Sequence, residues 1–413
     1  MVDDSQSGTR PKRVVWVTQP YYPDIQSTSH LLTGLLEAMG GDPVEFTVIC
    51  GHPVLVSEGT PARAASCEQR GNVRIFRCGL RFDYKRNLLL RFLYMASFVL
   101  AASWRLVRVS RGALVFAVTN PPFAPVWIGA LSRIFGFRYH IVCHDVFPDG
   151  LVALGKLPEP GLVADLWHRA NRVALRDAKT TVVLGRDMLE LLRDRYGVPE
   201  AKLKLIPHWS VNDGGGRFAP EETRLWRTLG FTDAFVVQYS GNMGLWHDIE
   251  TLVRAAAILK DHDRIRFVFL GGGMRKEKAR ALESELGVAR IDWLPFQPEE
   301  SLTDSLACAH LSIISQREGL EGIAVPCKLY GILASGRGIL GLVPEGSEVA
   351  RVIAEEDCGV RLGPHDPGAL AAVILKLSED LPRVREMGSG AYAAFDGKYR
   401  LEQAVKRYRE LWD

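Results

Sequence analysis

Cysteine is scarce and scattered in this chain of 413 residues. The seven cysteines, at 50, 67, 78, 143, 308, 327 and 358, are odd in number and include no Cys-x-x-Cys pair. That excludes a zinc ribbon and speaks against a disulfide frame; the thiols read as reduced and mostly buried, as in a cytoplasmic protein. A charge excess of one sign is also missing. Lys and Arg number 51 and Asp and Glu 48, a net charge of +3 that gives no reason to expect nucleic acid as a partner. The most apolar stretch is uncharged only from Phe92 to Trp104, short of the roughly 20 residues of a membrane span. No His-Glu-x-x-His, Walker A loop, Gly-x-Ser-x-Gly or His/Cys metal spacing is present. The one Asp-x-Asp, Asp261-His-Asp263, sits in a polar turn, so no metal and no cofactor are expected. Residues 1–12 lack the apolar segment of a secretory signal and read as a disordered lead. No short-period repeat occurs.

What is there is a soluble balance, 47% hydrophobic and 24% charged, enough for two sizeable cores. Arg13-Val-Val-Trp-Val-Thr18 is an apolar, β-rich run. A Pro/Tyr/Asp loop follows, then a helical pattern at 27–39 with a Ser/Thr cap, then a strand at 46–50. This opens a doubly wound α/β domain, with further strands at 73–77, 113–117, 138–143, 180–184 and 204–207. Val211-Asn-Asp-Gly-Gly-Gly-Arg217 reads as a linker. A second series follows, with strands at 235–239, 266–270, 290–294, 310–314 and 338–342. Its helices fall at 248–259, 275–286, 348–355 and 368–377, and a terminal amphipathic helix at 398–412. The division is a first domain over 13–210, a linker over 211–230, a second domain over 231–395 and a terminal helix over 396–413.

Several stretches carry chemistry. Pro326-Cys-Lys-Leu-Tyr-Gly-Ile-Leu-Ala-Ser-Gly-Arg337 enters an apolar helix with Lys328 at its start, an arrangement suited to a phosphate. Tyr239-Ser-Gly-Asn-Met-Gly244 follows a strand, and Gly241 and Gly244 allow backbone to approach a ligand beside Asn242. Gly271-Gly-Gly-Met-Arg-Lys276 lies at a second strand-to-helix junction, with Arg275 as a helper. For both, the alternative is an ordinary tight turn. Glu318 and Glu321 precede the lysine and either reach a ligand or are solvated loop carboxylates. His144 and Asp145 end a strand, where α/β enzymes place ligands; the alternative is a structural pair closing a loop. Lys85, Arg86, Arg91, Arg105, Arg108 and Arg111 flank the apolar stretch, so residues 85–111 read as an interfacial helix, a buried one, or one face of each.

The Pro-x-Lys helix, the Gly-Asn-x-Gly loop and the glycines at 271–273 together resemble family 4 glycosyltransferases, and a subgroup that builds bacterial surface polysaccharides of the colanic acid and O-antigen type. The segment from His144 through Asp149 resembles that subgroup's Asp-x-Trp-Pro-Glu region, with Phe147 for Trp and Asp149 for Glu. The resemblance runs from about Arg13 to Trp412. It implies the GT-B fold, two Rossmann-like domains facing across a cleft, with the terminal helix crossing back to the first. It implies a retaining, metal-independent transfer from a nucleotide-diphosphate sugar, UDP first and GDP next, to a hydroxyl of a glycan, lipid-linked or small-molecule acceptor. His144, Asp145, Lys328 and Glu321 are the expected catalytic residues. Gly241, Asn242, Gly244, Gly271, Gly272, Arg275, Glu318 and Lys328 are expected on the donor, and Asp24, Ser27 and Asp149 on the acceptor side. The expected location is cytoplasmic, at the inner face of the membrane. Two departures stand out. Gly331 occupies the place of the family's ribose-binding glutamate and Ile323 that of its sugar-facing one; the first loop, Gln19 to Ser27, lacks paired glycines. They keep open a catalytically silent nucleotide- or sugar-binding partner protein, and an epimerase of similar fold is the other alternative.

Overall fold

Short β-rich runs alternating with helical stretches close as parallel sheets crossed by helices, and the chain makes two. The computed structural model describes all residues except 1–11, 25, 54–63, 82–87, 212–217, 289 and 413. Most of the expected lead, most of the glycine-rich linker motif, and Lys85 and Arg86 lie outside the described residues, as does the Arg91 side chain. Lys12, read as the end of the lead, instead starts the first strand, and its ammonium donates to the Trp412 carbonyl at 2.8 Å.

The first sheet comprises β1 Lys12–Val17, β2 Val44–Gly51, β3 Cys67–Arg70, β4 Val73–Cys78, β5 Leu114–Val118, β6 Arg138–Val142, β7 Thr180–Val183 and β8 Leu203–Leu205. Their order is β3-β4-β2-β1-β5-β6-β7-β8, parallel throughout except for the β3–β4 pair. The second comprises β9 Phe235–Ser240, β10 Ile265–Leu270, β11 Ile291–Leu294, β12 Leu311–Ser315, β13 Gly338–Leu342 and β14 Gly359–Leu362. It is wholly parallel, in the order β11-β10-β9-β12-β13-β14. Helices cover both faces, so the central strands are buried on both sides. The sequence reading missed β3 and β14. Cys-Glu-Gln-Arg is polar and half-exposed at a sheet edge, and Gly-Val-Arg-Leu is short and partly exposed.

Three boundaries differ from the sequence reading. The second domain starts before residue 230: the helix Arg224–Thr228 buries Leu225 and Trp226 against Val236, Val268 and Leu270. The terminal helix is shorter than expected and a separate helix precedes it: Leu381–Lys398 packs against the helix Lys328–Ala334, and the terminal Leu401–Arg409 against the helix Ser27–Ala38. The second of these returns to the first domain, where Tyr408 and Trp412 close over Trp16, Phe46 and Phe116. Finally, the helix Ser27–Ala38 is capped at Gln26, with no side-chain cap bond.

The apolar stretch forms the helix Leu88–Val109. Tyr94, Phe98, Ala102 and Leu106, four residues apart, are its buried stripe. Leu100 and Trp104 on its other side are 73% and 54% exposed, and Arg108 stacks over Trp104 at 3.3 Å. Among the described residues no helix is long and apolar enough to cross a membrane.

Candidate functional site

In each sheet the strand order reverses direction beside the domain's first strand, between β1 and β5 and between β9 and β12. Loops at the carboxyl ends of such strands form the binding crevice of doubly wound folds. Here those loops meet across one cleft.

On the second-domain side Lys328 starts a helix of seven residues. Its Nζ is buried, lies 3.7 Å above the Tyr239 ring and has no hydrogen-bond partner among the described residues. Burial pulls its pKa down to about 7, against a small upward pull from the Cys327 thiol. A Cβ at Gly241 would lie 3.4 Å from that Nζ, so the glycine leaves room beside the ammonium. The loops after β9 and β10 are pressed together: a Cβ at Gly271 would stand 2.2 Å from the Gly241 carbonyl, and one at Gly273 2.6 Å from Asn242 Oδ1. Gly241, Gly271 and Gly273 all have φ between 124° and 139°, open to glycine and strained for other residues. Gly272 is the free one, facing the Phe296 ring, which remains 53% exposed.

On the first-domain side, β6 delivers His144 and Asp145. The Thr119 hydroxyl at the end of β5 accepts from both backbone amides, at 3.0 and 3.2 Å. His144 Nδ1 lies 3.4 Å from the Thr28 hydroxyl, and its ring meets His208 edge to face at 4.8 Å. Half-buried but enclosed by the cleft walls, the His144 imidazole is pushed down to about 4 and the Asp145 carboxyl up to about 6, both by desolvation. His144 is thus neutral near neutral pH, and Asp145 keeps its proton to a higher pH than an ordinary carboxyl. The Ser27 hydroxyl reaches the Cys327 thiol across the cleft.

Other expected site residues are engaged elsewhere. Asp149 is buried, ion-paired to Arg195 at 3.1 Å, and accepts from the Tyr196 hydroxyl; it holds the first domain together rather than facing an acceptor. Arg275 is bound through Nη1 to both Glu250 oxygens, at 2.9 and 2.8 Å. Asp24 is buried and accepts from the Gln26 amide at 3.1 Å, pinning its own loop. Glu318 is exposed, and Glu321 lines a groove with Asp187, Glu190 and Arg351 on the outer side of the domain junction. Gly244 folds against the Asn242 amide. Gly331 packs toward Leu306. Among the described residues no cluster of His, Cys, Asp and Glu could hold a metal ion, and Asp263 of the Asp-x-Asp turn is paired with Arg290.

Two histidines escaped the sequence reading. His247, four residues after Met243, donates from Nδ1 to the Ser315 carbonyl at 2.6 Å and is held neutral by burial and by the charge of Lys328. His208, after β8, is buried between His144, Trp209 and Tyr330. Histidine just after a glycine loop was the available signal for the first; the second had none, since His144 and Tyr330 are distant from it in sequence.

Residues 28–209 match the glycosyl transferase 4-like domain, and residues 223–394 the glycosyl transferases group 1 domain. The chain is 28% identical over 272 residues to the probable glycosyltransferase WbjE of Pseudomonas aeruginosa, covering 66% of this chain and 68% of that one. It is 24% identical over 313 residues to the putative colanic acid biosynthesis glycosyl transferase WcaI of Escherichia coli K12, covering 72% and 76%. HepE of Anabaena, solved with UDP and with UDP-glucose, superposes with TM-scores of 0.67 and 0.66 at 14% identity, covering 97% of this chain and 99% of that one. With two matched domains and two sheets facing one cleft, this chain belongs to the family 4 glycosyltransferases of GT-B fold, and resembles among them the bacterial surface-polysaccharide subgroup.

Proposed function

We propose that the protein moves a sugar from a nucleotide diphosphate donor, UDP-linked first and GDP-linked next, to a hydroxyl of a glycan or lipid-linked acceptor, with retention at the anomeric carbon and without a metal. The observation that carries this reading is Lys328, a buried ammonium with no hydrogen-bond partner among the described residues, beside a bare glycine backbone. Breaking the sugar–phosphate bond builds negative charge on the departing diphosphate, and a cation held ready in a dry site stabilises that charge as it develops. The helix behind Lys328 spans only two turns, so the side chain carries most of the effect. Phe296 offers an exposed aromatic face above Gly271 and Gly272, suited to a base. HepE's complexes with UDP and UDP-glucose support a uridine nucleotide here.

His144, neutral and braced by Thr28, suits a hydrogen bond to a sugar hydroxyl. Asp145 beside it serves as an acceptor when ionised and a donor when protonated. The acceptor proton passes to the leaving phosphate, so no enzymic nucleophile is needed. The helix Leu88–Val109 would rest its Leu100 and Trp104 side on an anionic membrane that carries the acceptor, with the protein on the cytoplasmic face. Gly331, at the place of a ribose-binding carboxylate, favours a second reading, a silent protein that binds nucleotide without turnover.

The test is a binding panel of UDP, GDP, ADP and dTDP against the wild type and Lys328→Ala, followed by turnover with the sugar donors of whichever base binds. Selective binding that weakens about a hundredfold in the variant, with turnover falling alongside, is expected from a lost charge contact of about 3 kcal/mol. Binding without turnover selects the silent protein. No binding, or binding indifferent to Lys328, overturns the donor site.

A further inference from the structure

The segment that delivers Lys328 is gripped by the other domain. Residues 320–325 belong to the second domain, yet the Val146 amide donates to the Ile323 carbonyl at 2.8 Å, and Asp145 and Ala324 form an antiparallel bridge. The strongest grip is Asp187, in the first turn of the first-domain helix Arg186–Asp194. One carboxylate oxygen accepts from the Gly322 amide at 3.0 Å and from the Glu348 amide at 2.9 Å; the other accepts from its own Met188 amide at 2.7 Å. Glu348 begins the second-domain helix Glu348–Glu355 and returns the contact, accepting from the Arg186 amide at 2.8 Å and pairing with the Arg186 guanidinium. Two helix starts from different domains thus satisfy each other's free amides, a duty normally met within one chain segment.

The backbones approach closely enough that side chains are excluded. A Cβ at Gly185 would stand 2.8 Å from Val325 and 2.9 Å from Glu348 Cβ, and one at Gly322, where φ is 72°, would stand 2.7 Å from the Asp187 carbonyl. Only Ile323 to Cys327 separate Gly322 from the lysine.

We propose that Asp187 is a positioning residue for Lys328: by holding the Gly322 amide and the Glu348 helix start together it sets the 322–327 segment, and so the lysine, against the cleft. The proposal rests on the donor-site reading above for its effect on nucleotide, while the grip itself is independent of that reading. Glu190, on the same helix, pairs with Arg351 at 2.6 Å across the same junction but, among the described residues, makes no hydrogen bond or ion pair to the segment, so it separates positioning from mere domain contact.

Asp187→Asn is compared with Glu190→Gln in two measurements. In hydrogen–deuterium exchange of the full chain, Asp187→Asn speeds exchange in peptides covering 319–328, while Glu190→Gln leaves them unchanged and neither alters the β9 peptides. Unchanged exchange in Asp187→Asn overturns the proposal whether or not any nucleotide binds. In UDP titrations, Asp187→Asn weakens affinity about tenfold in the wild-type background and has no further effect in Lys328→Ala, because it acts through that lysine. Equal losses in both backgrounds, or the same loss from Glu190→Gln, mean a general effect on domain contact and also overturn it. If wild type binds no nucleoside diphosphate, the donor-site reading fails and exchange alone decides the grip. Asp187→Glu, which keeps the charge, is expected to recover part of the protection.

Discussion

The loops after β1 and β9 leave equivalent strands of the two domains, yet they are built from opposite materials. After β1 comes Gln19-Pro-Tyr-Tyr-Pro-Asp24, whose Tyr21 and Asp24 are buried and whose Tyr22 carbonyl accepts from Arg77 at 2.7 Å. Side chains stitch that loop shut. At the end of β9 comes Ser240-Gly-Asn-Met-Gly244, backed by a second glycine loop and facing a lysine with no hydrogen-bond partner among the described residues. The first domain presents side chains to the cleft and the second presents backbone and one charge. A diphosphate needs close backbone and a cation, and this difference is why the donor is proposed to sit against the second domain. The outer surfaces differ in the same sense. Large exposed apolar residues gather on first-domain helices, Leu100 and Trp104 on one, Ile134 and Phe135 on the next, Leu162 and Val163 on a third.

The comparison breaks most sharply at Gly271. Gly271→Ala forces a Cβ into the Gly241 carbonyl at a φ of 124°, and the two loops must part. A stability loss of about 2–4 kcal/mol is expected, with nucleotide binding lost, read from urea midpoints and UDP titration. Gly272→Ala meets only the Phe296 ring at an ordinary 3.4 Å and should cost less than about 1 kcal/mol. Similar losses for both would mean that the loop pairing is not what glycine serves here.

The charge itself is sharpened by pH. Lys328 sits near pKa 7 in the free protein. A bound diphosphate favours the charged form and raises that value, so binding takes up a proton above pH 7. UDP affinity should therefore be full below pH 7 and fall as pH rises from 7 to 9, by at most about tenfold per unit. The nucleotide's own last ionisation, near pH 6, lies below that window. Lys328→Met should flatten the profile; a slope that survives in the variant would place the titrating group elsewhere.

The smallest effect concerns the outer face. Wild type should bind vesicles containing anionic lipid weakly, and less as salt rises. A Leu100→Ser, Trp104→Ser double variant should bind several-fold less while UDP affinity stays unchanged. Absence of binding at every salt concentration would return the helix to a purely structural role.

Most of the strands were legible because period and β-branched content are local properties. Lys328 was legible for a related reason: Leu329, Tyr330 and Ile332 around it announce burial, and a lysine among them needs a purpose. Asp149 was misread because its fate is set by Tyr196 and Arg195, some 47 residues away, which no motif reveals. Arg275 likewise looked free until Glu250 came beside it from the preceding helix. Asp187 had no signal at all, since its partners lie 135 and 161 positions onward and offer only backbone amides. Sequence shows what a residue is made of and what stands next to it; contacts closed by two domains remain hidden until both have folded.

The return of the chain to the first domain has a bearing on how the protein is made. Trp16 leaves the ribosome early, but Tyr408 and Trp412, which cover the same cluster, emerge only after the whole second domain. The first domain to be synthesised is therefore the last to be sealed, and it waits with an aromatic face open while the second domain, whose strands all lie between residues 235 and 362, gathers its own core.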